Sequence, residues 1–244
     1  MNTVIELLKA HRSIRRFTDE PIPGEMLEEI IQAGQAASTS SFIQACTVIR
    51  VANPATRERL AELAGNQKYV ATAAEFLVFC ADLSRARRCC EAQEVEPEEG
   101  FTESFIIATV DTALMAQNVA VAAESLGLGI CYIGGLRNNP REVSDILGLP
   151  EQVYPVFGFC MGYPDQQLDL RPRLPLSAVL KQERYRADDP ATIAEYDKVV
   201  ERYYARRLGG SKSMSWTRQV AGLAGKEARP HMRSFLQEKG FLKR

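Results

Sequence analysis

Residues 102–127, TESFIIATVDTALMAQNVAVAAESLG, decide how the chain is built. Alanines and aliphatics occupy nearly every face of this stretch, which predicts a central buried helix or a helix shared with a second subunit. Gly127 closes it. After Gly127-Leu128-Gly129 come Ile130-Cys131-Tyr132-Ile133, short, β-branched and aromatic, so a strand follows and runs into Gly134-Gly135. A buried helix feeding a short strand is the unit of an architecture of helices layered on a sheet.

Further strands are expected at Cys46–Val51, Phe76–Cys80 and Val153–Met161. Thr3-Val4-Ile5-Glu6 reads as a capping box for a helix over 4–10. Met26, Leu27, Ile30 and Ile31 repeat at helical spacing toward Ala37. Asn53-Pro54 opens a helix ending at Gly65, with a second short one through Ala74. Asn139-Pro140 opens one to Gly148, and Asp189-Pro190 a last long one through Tyr204. Ser38-Thr39-Ser40-Ser41 is a small hydroxyl loop, Glu91–Gly100 an acidic loop, and Arg206–Arg218 a basic one. About four strands separated by helices give a mixed sheet within an α+β fold.

The net charge is −1, so no global field argues for nucleic acid or acidic lipid. The balance is uneven: from Glu201 to Arg244 there are 11 Lys/Arg against 3 Asp/Glu, which suggests an anionic ligand or partner near the C-terminus. A nucleic-acid role for residues 201–244 lacks the interleaved aromatic and basic residues of a stacking platform, although Tyr203 and Trp216 offer rings. The N-terminus carries Glu6, Lys9, Arg12, Arg15 and Arg16 and does not read as a secretory signal. Apolar stretches such as Ala73–Ala81, around Glu75, fall far short of the ~20 residues of a membrane helix. The expectation is a cytoplasmic protein without membrane or nucleic-acid partners. The six cysteines, without C-x-x-C spacing, are expected to be reduced, with Cys89 and Cys90 an exposed pair.

Chemistry concentrates in His11-Arg12-Ser13-Ile14-Arg15-Arg16. Arginines 12, 15 and 16 with a histidine and a hydroxyl suit a phosphate, whose oxygens match planar guanidinium donors. The same segment also reads as solvated charges ending a helix. In Asp169-Leu170-Arg171-Pro172-Arg173-Leu174-Pro175 the prolines hold the chain extended and send Arg171 and Arg173 to one side, as a clamp or as a charged edge. Gly134-Gly135 admits a flat ring close to the backbone or simply turns the chain. Two histidines and no ligand-spaced thiolates make a metal site unexpected. A serine-nucleophile elbow and a Walker A run are absent from the sequence, and Gly127-x-Gly129 fails as a Rossmann fingerprint because Tyr132 stands at the third glycine. Phosphate donors without a nucleophile suit an enzyme whose cofactor performs the chemistry.

Taken in order, five stretches resemble the flavin-dependent nitroreductases, closest to the oxygen-insensitive NADPH nitroreductase and NADPH–flavin oxidoreductase branch. They are His11–Arg15, Ser38–Ser41 with Phe42 and Gln44, Gly65-Asn66-Gln67-Lys68, Tyr132–Asn139 and Arg171–Pro175. Tyr203-Tyr204, Trp216 and Glu227-x-Arg229-Pro230 extend the likeness across the chain. The resemblance implies a central, mixed and mostly antiparallel sheet surrounded by helices in an interlocked homodimer. It implies a single domain over 1–244, with a C-terminal extension from about residue 190 that wraps the partner. It implies one non-covalent FMN per subunit: His11, Arg12, Ser13, Arg15, Arg171 and Arg173 at its phosphate, ribityl chain and ring edge, and Thr39, Gln67, Tyr132, Ile133, Gly134, Gly135 and Leu136 contacting the flavin. Ser41, Phe42 and Arg229 fall on the substrate side. Arg171 stands where relatives carry lysine.

For the coenzyme, the resemblance places Arg207 and Lys212 on a flexible basic loop that takes the 2′-phosphate of NADPH, with Gly209-Gly210 giving it freedom to close. Lys212 replaces an arginine and Ser213 is uncharged, which weakens discrimination against NADH. The implied activity is a ping-pong passage of two electrons from NADPH to nitroaromatics, quinones or free flavin, with Arg15 supplying positive charge at the ring edge. Flavin reduction as the main role is the alternative.

Overall fold

In the computed structural model, which describes residues 2–208 and 210–244, the chain forms two units. One comprises residues up to Gln166 together with Arg229–Arg244, the other Gln167–Ala228. The first unit runs α1 (Thr3–Lys9), α2 (Gly24–Gln35), β1 (Cys46–Arg50), α3 (Pro54–Leu63), α4 (Tyr69–Thr72) and β2 (Glu75–Asp82). It continues with α5 (Ser84–Ala92), α6 (Thr102–Ser125), β3 (Gly129–Ile133), α7 (Pro140–Ile146) and β4 (Val153–Gly162). The second unit holds α8 (Leu176–Val179), α9 (Pro190–Arg206) and α10 (Trp216–Ala224), and α11 (Met232–Glu238) returns to the first.

The four strands lie in the order β1-β2-β4-β3 and every neighbouring pair is antiparallel. The mixed character expected of the sheet comes down to one isolated parallel bridge, Ser13 to Ile130, at the β3 edge. Strand β2 is buried at all its positions and reads as a continuous apolar run because helices cover both faces. Alternate residues go to opposite sides. Leu77, Phe79, Phe159, Met161 and Ile130 pack with Leu27 and Ile30 of α2 and the alanines of α6. Phe76, Val78, Cys160, Cys131 and Ile133 pack with Leu60 of α3, Val70 of α4 and Val143 of α7. Small residues at Ala108, Ala116, Ala120 and Ala123 bring α6 close to the sheet.

Several expectations are corrected. The cap of α1 is Asn2, whose side chain accepts from Val4 N–H at 2.9 Å, and Thr3 lies inside the helix. Cys89 and Cys90 belong to α5; Cys89 is exposed, Cys90 half-buried, and all six cysteines are free. Helix α5 starts because Asp82 Oδ1 accepts both the Ser84 N–H at 2.9 Å and the Ser84 hydroxyl at 2.6 Å. Part of the expected basic loop is α10, capped by the Ser215 side chain, which accepts from Arg218 N–H. Helix α6 is, among the described residues, the one helix long and apolar enough to cross a membrane by length and composition. Asp111 interrupts its apolar sequence, so its length and composition come to membrane-helix range without an unbroken apolar run. In the fold that helix packs on the sheet, with Asp111 and Thr112 buried and bonded to the chain around Ala45.

Candidate functional site

The segment after α1 lies extended along β3. Ile14 N–H donates to Ile130 O at 2.8 Å and the Ile14 side chain is buried. Gly129 makes this docking possible, since a Cβ there would stand 2.6 Å from Ile14 Cγ1. With Ile14 turned inward, alternation turns Ser13 and Arg15 the other way. His11 Nδ1 is 2.6 Å from Glu124 Oε1, near the end of α6. Arg12 Nη1 donates to Ala10 O at 3.0 Å, and the Arg15 guanidinium lies 6.0 Å from the centroid of the Tyr69 ring. Arg16 leaves the expected trio: its Nε and Nη2 donate to Asp165 O at 3.1 and 2.6 Å, so it fastens the segment to the chain after β4.

Beside this grip stand Gln67, Tyr69 and the turn after β3. Gln67 Nε2 donates to Ala64 O at 2.5 Å, and the Tyr69 hydroxyl donates to Gln67 Oε1. Burial raises the Tyr69 phenol pKa, with Arg15 pulling the other way. At Gly135 a Cβ would meet Ala64 O and Gln67 Nε2 at 2.3 Å. That glycine therefore leaves room for the Ala64 carbonyl and the Gln67 side chain, which a Cβ there would displace. Tyr132 sets its ring edge-on to Phe157 and Phe159, its hydroxyl donates to Gln117 Oε1 at 3.4 Å, and burial raises its pKa. Ile133, Gly135 and Leu136 are buried, and Tyr132 and Gly134 are the half-exposed residues of this turn. Arg229 lies here too, its Nε donating to Asn138 Oδ1 at 2.9 Å.

Thr39, Ser41 and Phe42 are elsewhere. They line a cavity of about 790 Å³ beside β1, together with Cys46, Arg85 and Asp111. Their loop is strained, with positive φ at Ser41, Phe42 and Gln44 (47°, 59° and 55°). Asp111, 2% exposed, holds it by accepting the Ser40 and Ala45 N–H groups at 3.0 and 3.3 Å. Arg85 closes the far side by donating to Gln44 O at 3.0 Å and to Thr47 Oγ1 at 2.7 Å. Phe42 is 82% exposed. Burial pushes the Cys46 thiol up to about 11, which keeps it inert.

The residues expected around the flavin thus form two groups within the first unit. His11, Arg12, Ser13, Arg15, Gln67, Tyr132–Leu136 and Arg229 gather at the β3 edge; Thr39, Ser41 and Phe42 gather at the β1 edge. Three strand spacings, about 14 Å, and the strands β2 and β4 separate the edges. Helix α6 runs from one group to the other: Asp111 and Glu124 are thirteen residues apart, about 20 Å along the axis.

In the second unit Arg171 and Arg173 line a cavity of about 270 Å³ with Tyr196, Tyr204 and Trp216. Tyr196 donates its hydroxyl to Pro172 O at 3.0 Å. Burial raises the Tyr196 phenol pKa, and Arg173 and Arg171 both oppose the shift, which places the two guanidiniums on its side. Arg207 and Lys212 both lie over the Tyr204 ring. Of the two glycines between them, Gly210 has a φ of 110° and Gly209 lies outside the described residues.

Sequence reasoning missed Asp111, Glu124, Arg85 and Tyr69. A signal existed for the first two: a carboxylate inside a long apolar helix is retained where something donates to it.

Grouped cations and a hydroxyl on a segment pinned to a strand, next to a glycine turn, suit a phosphorylated, planar group. The donor set and its anchoring fit FMN. Comparison with known proteins makes the class specific. The family model described as the nitroreductase family matches residues 8–163, and that of the nitroreductase family C-terminal domain matches 171–244. The chain is 45% identical over 244 residues to the NADPH-flavin oxidoreductase of Vibrio harveyi and 43% identical to the oxygen-insensitive NADPH nitroreductase of Salmonella typhimurium, all of each chain being covered. The solved structure of the NADPH:FMN oxidoreductase of Vibrio harveyi complexed with NAD+ superposes with a TM-score of 0.92 at 44% identity and full coverage of both chains. This chain belongs to the nitroreductase family.

Proposed function

We infer that the protein is an FMN-dependent oxidoreductase that passes two electrons by a ping-pong cycle from NADPH to nitroaromatics, quinones or free flavin. The observation that carries this reading is the His11–Arg15 segment held on β3 by Ile14 and Gly129 beside the Tyr132–Leu136 turn. Bound FMN supplies the redox chemistry, taking up and passing on a hydride equivalent. His11, Arg12, Ser13 and Arg15 would hold it, with Gln67 and the Tyr132–Leu136 turn at the ring; in the second unit, Arg171 and Arg173 are the cations suited to a phosphate. Arg15 is the catalytic cation: its fixed charge stabilises negative charge that develops at the ring edge. Thr39 contacts the flavin, and Ser41, Phe42 and Arg229 line the acceptor side. An open cavity with an exposed Phe42 reads shape weakly, which favours several acceptors, free flavin among them.

The working form is a homodimer. Two half-sites on opposite edges of one sheet complete a single site when the β1 edge of one copy meets the β3 edge of another. The surface supports this: α6 exposes Ile106, Val110 and Leu114 at four-residue spacing, and α1 exposes Val4, Ile5 and Leu8. The region from about residue 190 serves as an extension of one domain that wraps the partner and presents Arg207 and Lys212 to the NADPH 2′-phosphate. The cytoplasm suits its free cysteines, and no nucleic-acid or membrane partner is proposed.

The test is spectroscopic. Purified protein is expected to be yellow, to release FMN on denaturation, and to bleach with NADPH in the absence of oxygen. A folded preparation that stays colourless after incubation with FMN overturns the reading.

A further inference from the structure

The basic loop after α9 is organised from within its own unit. The Arg207 guanidinium lies 5.1 Å and the Lys212 ammonium 4.3 Å from the centroid of the same ring, Tyr204. The two cations are therefore no further apart than the sum of those distances, although like charges on a loop repel and spread when nothing gathers them. The ring is fixed: Tyr204 is 3% exposed, and its hydroxyl donates to Gln219 Oε1 at 2.7 Å. The backbone closes on the same residue, since Lys212 N–H donates to Tyr204 O at 3.0 Å and Arg207 N–H to Tyr203 O at 2.9 Å. Within the loop, Arg207 Nε donates to Gly210 O at 2.8 Å. From outside it, Asp169 Oδ2 accepts the Leu208 N–H at 2.7 Å. Asp169 stands two residues before Arg171, so the loop is latched to the segment that carries Arg171 and Arg173.

We propose that Tyr204 and Asp169 are positioning residues for coenzyme selection: the Tyr204 ring gathers Arg207 and Lys212 into one doubly charged site, and Asp169 fixes where the loop that carries them begins. The proposal rests on Arg207 and Lys212 being the cations for the 2′-phosphate and names what assembles them. Aromatic faces attract cations through their quadrupole. Two cations already held against one ring lose their mutual repulsion when a phosphate dianion enters, and gain nothing comparable from the neutral hydroxyl that NADH carries there. Preference for NADPH thus comes from pre-assembly as well as from charge.

Steady-state kinetics of the FMN-loaded protein with NADPH and with NADH test this. Loss of two cation–π contacts in Tyr204→Leu is expected to raise the KM for NADPH about tenfold, with the KM for NADH and both kcat values unchanged. Tyr204→Phe, which keeps the ring, is expected to restore the NADPH value. Asp169→Ala, at the surface of the same unit, is expected to raise the NADPH KM alone about threefold and serves if Tyr204→Leu does not fold. The proposal is overturned if NADPH and NADH are affected equally, or if Phe is no better than Leu at position 204. Arg207→Ala separates the two levels: an unchanged NADPH KM in that variant overturns the phosphate assignment itself, whereas a raised one with normal Tyr204→Leu and Asp169→Ala kinetics overturns only the positioning roles.

Discussion

Arg15 and Arg16 are adjacent and chemically identical, yet the fold gives them different work. Arg16 is bound to Asp165, and Arg15 lies by Tyr69 at the β3 edge. Replacing Arg15 with alanine is expected to leave the fold intact and to slow reduction by NADPH about a hundredfold in stopped-flow traces; an unchanged rate removes its electrostatic role. Asp82 behaves differently because it is structural. Burial opposes its charge, but hydrogen bonds from Ser84 and Thr47 and the Arg85 cation outweigh that and hold its pKa below the ordinary aspartate value. Since the folded pKa is the lower one, its contribution to stability is present above the unfolded pKa and is lost as pH falls through the folded one. Urea unfolding is thus expected to show stability declining on acidification below about pH 4, with a shallower decline in Asp82→Asn.

At the scale of elements, the strongest dependence is that of the hydroxyl loop on α6. Asp111→Ala leaves two backbone N–H groups of a strained loop without their acceptor, and is expected to destabilise the protein by about 2–4 kcal/mol in urea denaturation and to weaken acceptor turnover. A stability unchanged within error contradicts the anchoring role. The strands were legible in the sequence because each is a short apolar run between turn residues, and α6 because it is long. Helices α5, α10 and α11 were not. SRARRCCEA in α5 has an apolar face made only of the small residues Ala86, Cys89 and Cys90 among four charges, and its start depends on Asp82, a residue of the preceding strand. Residue type alone singled out His11–Arg16 as a cationic segment, but not that Arg16 turns away to Asp165. The segment's partners Tyr69 and Glu124 come from distant parts of the chain, and only the fold brings them together.

For the whole molecule, the proposed site, divided between opposite sheet edges, would tie flavin retention to association. Sedimentation is expected to find a dimer, and Val110→Lys, a charge placed in the exposed α6 stripe, to shift it toward monomer with loss of bound FMN in parallel. A monomeric variant that keeps its FMN contradicts the shared site. One further consequence comes from α6, which anchors a loop at Asp111 and His11 at Glu124. Each residue advances a helix by about 100°, so deleting any one between these anchors swings one carboxylate a quarter-turn or more away from its target. The interval is locked in phase. Its letters are free to drift, its length is not, and insertions are tolerable only outside the two carboxylates.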